Sequence, residues 1–302
     1  MSAVSDGCFE AIERGDIDAA VASGADGAPD LLRALAPRNG RAVVNAALQV
    51  VARTAPIGDE FVDAVGSTQE ADPIVGLRTD ALAALCRHSE LARQSALATL
   101  ADPAERERVS LIRSLTDRDL DFAVGGVLDL LSREEKPSPS VLPQWACRYV
   151  VQVGGPAGTD AVAALLSGPH RDYAAEVLAE VQDSRGLDRL LERWRDGQFV
   201  VATSIGKLGD PRAVPALCEE MTRDRGNRTA EWRRQHWGAN ALAAIGDTSA
   251  LPTLYQVRLP EPQWAGPSDD PGTSIRADAR DRIEQAIRTL EALSRRSCRV
   301  RS

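Results

Sequence analysis

The sequence predicts an all-α protein, an α-solenoid of antiparallel helix pairs, and three observations carry that expectation. The first is composition: 43% of the 302 residues are hydrophobic but only 4% are aromatic, and the apolar share is mostly Ala, Leu and Val. Such side chains suit close helix packing better than sheets of β-branched and aromatic residues. The second is internal repetition. VQDSRGLDRLL (Val181 to Leu191), LGDPRAVPALC (Leu208 to Cys218) and IGDTSALPTLY (Ile245 to Tyr255) superimpose without gaps, at offsets of 27 and then 37 residues. A period of this size is the mark of a stacked helical repeat. The third is a turn recurring at Asp183, Asp210 and Asp247. An aspartate there can accept hydrogen bonds from the free amides opening the next helix, and Pro211 suits a first turn, where no amide donor is needed.

The N-terminal segment AIERGDIDAAVASGAD (Ala11 to Asp26) reads as a short helix pair capping the stack, because a solenoid end needs a polar outer face. Helical apolar spacing then marks Pro73 to His88, Leu91 to Leu100 and Phe122 to Ser132, and Asp102-Pro103 with Glu105 reads as a helix start. These helices keep no clean period, so residues 1–132 are assigned to the cap and to degenerate repeats. Prolines 137, 139 and 143 place a loop over 133–143.

Regular repeats are expected over 144–258. Their apolar columns are Tyr173/Val200/Trp237, Leu178/Ile205/Leu242, Val181/Leu208/Ile245, Leu187/Val214/Leu251 and Leu190/Leu217/Leu254. A fainter copy precedes them from Ala146, with GGPAGTD (Gly154 to Asp160) at its turn. LPEPQWAGPSDDPGTS marks a loop insertion over 259–275, and Arg276 to Arg296 an amphipathic closing helix with Ile283, Ile287, Leu290 and Leu293 on one side. The basic end of 276–302 is read as a frayed tail.

The motif A-L-x-x-I-G-D-x-x-A-L-P-x-L, present as ALAAIGDTSALPTL and in variant form as SIGKLGDPRAVPAL, resembles the short HEAT repeat of the phycobilisome-lyase type. The resemblance is strong from about Ala146 to Val257. It implies a right-handed superhelix whose second helices line a concave face often used for binding, and it does not imply lyase activity.

Function is narrower in what it excludes than in what it names. All but two of the 36 basic residues are arginine, the exceptions being Lys136 and Lys207, and the formal charge is −8. The chain as a whole therefore repels polyanions, and any nucleic-acid site must be a local patch. No apolar run is long enough to span a membrane, and MSAVSDGCFEAIERGD lacks the basic and apolar regions of a signal peptide, so a cytoplasmic location is expected. The five cysteines are scattered without a C-x-x-C pair and read as buried thiols. His88, His170 and His236 are isolated, no metal motif occurs, and GGPAGTD lacks the G-K-[ST] of a phosphate loop. No cofactor, metal or small-molecule ligand is expected, and no catalytic residues are assigned. Glu219-Glu220 read as acids displayed to solvent.

The most unusual composition lies in TRDRGNRTAEWRRQHW (Thr222 to Trp237), which accounts for the longer offset and whose extra residues are expected in a loop between repeats. Candidate partner-binding residues are Glu219, Arg223, Arg225, Arg228, Trp232, Arg233 and His236, with Trp264 in the following insertion. Guanidiniums can fork onto carboxylates while an indole supplies apolar area. The competing reading is a solvated helix start whose arginines pair with nearby acids. The expected function is a non-catalytic scaffold that binds a protein partner. The alternatives are a nucleic-acid protein similar to HEAT-like DNA glycosylases, and a lyase or chaperone for a bilin-bearing protein.

Overall fold

The computed structural model describes residues 5–23, 27–36, 39–68, 75–102, 105–133, 141–224, 226–258 and 271–300. Among them every regular element is helical, so the chain is an all-α solenoid of packed helix pairs. Two compact units divide it, Met1–Ala161 and Val162–Ser302.

The first unit holds α1 (Ser5–Arg14), α2 (Ile17–Ala22), α3 (Ala28–Ala34), α4 (Arg41–Thr54), α5 (Glu60–Gly66), α6 (Val75–Leu85), α7 (Glu90–Ala101), α8 (Glu105–Asp117) and α9 (Val124–Arg133). α10 (Leu142–Ala164) follows and carries the unit boundary near its end. Packing runs between alternate helices, α2 on α4, α4 on α6 and α6 on α8, while α3 meets α5 and α7 meets α9. That two-layer stacking is how short helices bury apolar faces they cannot bury alone. The expected N-terminal pair forms around Asp16, whose carboxylate accepts from the Ala19 amide at 3.1 Å. Cys8, Ala11 and Ile12 of α1 are buried, and α1 packs on α2, α3 and α4. Ser89 caps α7 in the same manner, its hydroxyl accepting from the Ala92 amide. In place of a separate turn at GGPAGTD, α10 breaks at Gly155 (φ 57°, ψ −141°), directly before Pro156. Only glycine reaches that backbone region without strain.

The second unit holds α11 (Arg171–Glu180), α12 (Leu187–Arg195), α13 (Ala202–Leu208), α14 (Val214–Thr222), α15 (Arg228–Ile245), α16 (Leu251–Gln256) and α17 (Pro271–Val300). The odd-numbered helices stack in one layer, α11 on α13, α13 on α15 and α15 on α17. α12, α14 and α16 stack in the other. Between the layers lie Leu178, Leu190, Ile205, Leu217, Leu242 and Leu254, the residues of two predicted columns, all fully buried. Gly206 lets α13 pack tightly on α15, since a Cβ there would stand 3.1 Å from Ala244 Cβ and 3.2 Å from Ala241 Cα. α17 buries Ile283, Ile287 and Leu290 as the spacing predicts, with Leu293 packed at the margin, and its helix runs to Val300.

The repeated turn forms with one geometry three times. Asp183, Asp210 and Asp247 accept from the amides of Arg185, Arg212 and Ser249 at 3.0, 2.9 and 2.9 Å. Each begins a 3-10 turn that leads into the second helix. In the first two copies the arginine side chain also grips the same carboxylate, from Nε to both oxygens. A further pair of interhelical ion pairs, Arg189 to Asp172 and Arg193 to Glu176, both 2.6 Å, holds α12 in register on α11.

Two columns depart from the prediction. Val200 is 68% exposed. Its place lies in a 3-10 turn over Phe199–Val201, which turns Phe199 and Val201 to the core and Val200 away from it. Val181 is exposed because α11 stops at Glu180, whereas Leu208 and Ile245 still belong to their helices.

Candidate functional site

The longer repeat builds the candidate site as helix, not loop. α15 has 18 residues where α13 has 7, and much of the extra sequence forms additional N-terminal turns. The local chemistry explains it. Asn227, in extended conformation, accepts from the Ala230 amide at 3.1 Å and caps the helix. RTAEWRRQHW then contains no Gly or Pro to interrupt it. Before the cap, Gly226 takes a left-handed φ of 70° and donates its amide to Asp224 Oδ1 at 2.8 Å. That bond is the first cause holding the Asp224 carboxyl below its usual range.

The candidate residues fall into three groups. Arg223 is taken up by acids: its guanidinium reaches Glu219 Oε1 at 2.7 Å and Glu220 Oε1 at 2.6 Å. Glu220 is not displayed to solvent as expected but 1% exposed, because α14 turns it beneath the lead-in to α15. There Arg234, also 1% exposed, donates to the carbonyls of Glu220 at 2.8 Å and Arg223 at 2.6 Å, with its guanidinium 5.7 Å from the Phe199 ring centroid. Arg234, the last arginine of the basic run, is thus a buried clamp that ties the end of α14 to α15. Arg223 thus pairs with one exposed acid, Glu219, and one buried acid, Glu220, whereas Arg234 binds backbone carbonyls out of solvent.

The second group is a stripe. Arg228, Trp232 and His236 recur at i, i+4 and i+8 on α15 and so share one face. Trp232 is half-buried, with the Arg276 guanidinium of α17 at 6.0 Å from its ring. His236 Nε2 lies 3.5 Å from the Asn240 amide nitrogen and its ring meets Trp237 edge-on at 5.2 Å. Arg233 lies beside this stripe. Arg228 and Arg233 are exposed and form no ion pair among the described residues. Arg276 was not foreseen. It is 44 residues from Trp232 in sequence, and no local pattern links the two; only the stacking of α17 on α15 does. The third group, Arg225 and Trp264, lies outside the described residues.

Elsewhere the chemistry is inert or undivided. Burial pushes the Cys86 and Cys147 thiols up to about 12, and also raises Cys8 and Cys218, which leaves negligible thiolate at neutral pH. Among the described residues no three His, Cys, Asp or Glu gather as metal ligands, and no helix is long and apolar enough to cross a membrane. In the first unit a cavity of about 380 Å³ opens between α7, α8 and α9, with Leu97, Leu100, Leu130 and Arg108 in its wall. Its Asp129 and Arg133 are paired to each other.

Residues 198–221 match the family model of the PBS lyase HEAT-like repeat. The matched stretch runs from the 3-10 turn before α13 to near the end of α14, so it is one complete helix pair of the second unit with its Asp210 turn. No curated protein matches the chain.

Proposed function

We propose that this protein is a non-catalytic scaffold of the cytoplasm that binds a protein partner, and that the first turns of α15 contribute to the contact. One observation supports the reading above others. Arg228 and Arg233 stand exposed without carboxylate partners among the described residues, on either side of a half-buried indole braced by Arg276. Forked donors next to desolvatable aromatic area are the usual composition of an interface hot spot. The neighbouring Arg223 and Arg234 are already engaged, so they shape the platform and leave recognition to the free pair. A HEAT-like repeat supplies the scaffold and implies no chemistry of its own.

The test is affinity capture from native extract, with and without nuclease, using the wild-type chain and a Trp232→Ala/Arg233→Ala variant whose helicity is checked by circular dichroism. The reading expects a partner protein that survives nuclease and is depleted at least about fivefold in the variant. A partner retained equally by the folded variant sinks the assignment to α15. Capture that vanishes with nuclease moves the nucleic-acid alternative ahead.

A further inference from the structure

A second guanidinium–indole cluster stands in the first unit, on a surface that no sequence feature singled out. Val141, Trp145 and Arg148 recur at i, i+4 and i+7 and so share one face at the start of α10; the Trp145 amide donates to the Val141 carbonyl at 3.2 Å. Val141 is 55% exposed, an uncommon position for a β-branched aliphatic with a core available to it. Trp145 is half-buried, and two guanidiniums approach its ring: Arg113 of α8 at 4.9 Å and Arg148 at 5.3 Å from the centroid. Arg113 is exposed and forms no ion pair among the described residues.

We infer that this face, Val141–Trp145–Arg148 with Arg113 beside it, is a docking site for an acidic peptide segment of a partner protein, one in which carboxylates alternate with aliphatic side chains. The Arg113 guanidinium already lies against the indole, which lowers the side-chain entropy to be lost when a carboxylate is gripped. Val141 and the exposed part of the indole provide the apolar area that an aliphatic residue between the acids would cover. Charge decides the class of occupant. Arg113, exposed beside the indole, attracts a carboxylate within a Debye length of about 8 Å. A nucleic acid presents a dense line of phosphates and takes its affinity from a run of cations along them, which one exposed guanidinium beside an indole does not supply. The site is independent of the α15 stripe, and its test does not depend on that stripe being an interface.

The experiment is fluorescence anisotropy of a fluorescein-labelled peptide of repeated Glu-Leu-Asp, titrated with the full chain at low and at moderate salt. Saturable binding that weakens with salt is expected. Arg113→Ala and Trp145→Ala should each weaken it about five- to tenfold, Arg113→Lys should recover only part of the loss, and Trp232→Ala should leave it unchanged. Arg113 is exposed, so its variants keep the fold even if Trp145→Ala does not. The inference is overturned by no binding at millimolar protein, by equal binding in Arg113→Ala, or by an Arg113-dependent preference for a single-stranded oligonucleotide of equal charge. It is also overturned if Arg113→Ala abolishes self-association in the ultracentrifuge, because the occupant would then be a second copy of the chain.

Discussion

The three helices that end at the repeated turn do so with one backbone conformation but not with one residue. Gly209 and Gly246 occupy the left-handed region at φ 69° and 77°, each donating its amide to the carbonyl four residues back, Ile205 and Leu242. The equivalent residue in the first copy is Gln182, at φ 60°. It donates to the Ala179 carbonyl at 3.2 Å while the Asp183 amide reaches Leu178 at 2.9 Å. This is the Schellman form of the same ending. A residue with a Cβ pays about 1–2 kcal/mol in that region, and glycine gives back about 0.5–1 kcal/mol through the greater freedom of its unfolded chain. Gln182 is exposed, so its side chain contributes little packing. Gln182→Gly should therefore stabilise the second unit by about 0.5–1 kcal/mol. Gly209→Gln should destabilise it by a similar amount, since a Cβ at Gly209 meets nothing within 4 Å and the cost is conformational only. Urea unfolding followed by tryptophan fluorescence reads both as opposite midpoint shifts at unchanged slope. If both substitutions shift the midpoint in the same direction, the two turns are not equivalent and the reasoning from backbone conformation fails.

Two further outcomes follow from the same unit. Arg234→Ala removes the buried donor from the carbonyls of Glu220 and Arg223, so urea denaturation should show a loss of about 2–4 kcal/mol. Arg233→Ala, one residue away but exposed, should stay within about 0.5 kcal/mol, and equal losses would refute the division between clamp and surface. The turn aspartates predict an acid limb: Asp183 and Asp210 are held below the usual carboxylate range, first by the side chains of Arg185 and Arg212 and then by the backbone amides of the same residues. A depressed folded value means that the unfolded chain binds the proton more tightly. The stabilisation is thus present above the ordinary carboxyl value of about 3.9 and is lost as pH falls through the folded one. Asp183→Asn/Asp210→Asn should flatten the fall in urea midpoint below about pH 4, and an unchanged acid limb would show that these turns do not set it.

Much of the fold was legible because the solenoid writes itself locally. Leu178, Ile205 and Leu242 fall in register since each repeat meets only its neighbours and must bury the same few positions. The Asp turns were legible for a similar reason, as cap and backbone lie within three residues of one another. Misreadings arose where backbone geometry changed between copies. The 3-10 turn at Phe199–Val201 rotated Val200 out of its column, and the early stop of α11 exposed Val181. Neither event has a signature in apolar spacing. Burial of Glu220 was hidden as well, since its two arginine neighbours, Arg223 and Arg234, become its environment only after the chain has doubled back.

The candidate surfaces were half legible, and the same physics explains which half. In a regular repeat the apolar positions of each helix are consumed by the helices before and after it, so an indole there is core, as Trp194 is. Trp232 and Trp145 each lie within the first two turns of a helix that begins where the repeat register breaks, α15 after the long lead-in and α10 at the start of the fainter copy. Those turns extend past the matched positions of a neighbour, which leaves an indole half-covered. What then covers it is whichever long side chain the adjoining helix offers: Arg276 in one case, Arg113 in the other. The composition of the basic run exposed the first indole to sequence reading, but Arg276 and Arg113 are supplied by stacking and not by spacing. In a protein of this kind, recognition surfaces are therefore to be sought where repeat length changes, because regular repeats spend their apolar positions on one another.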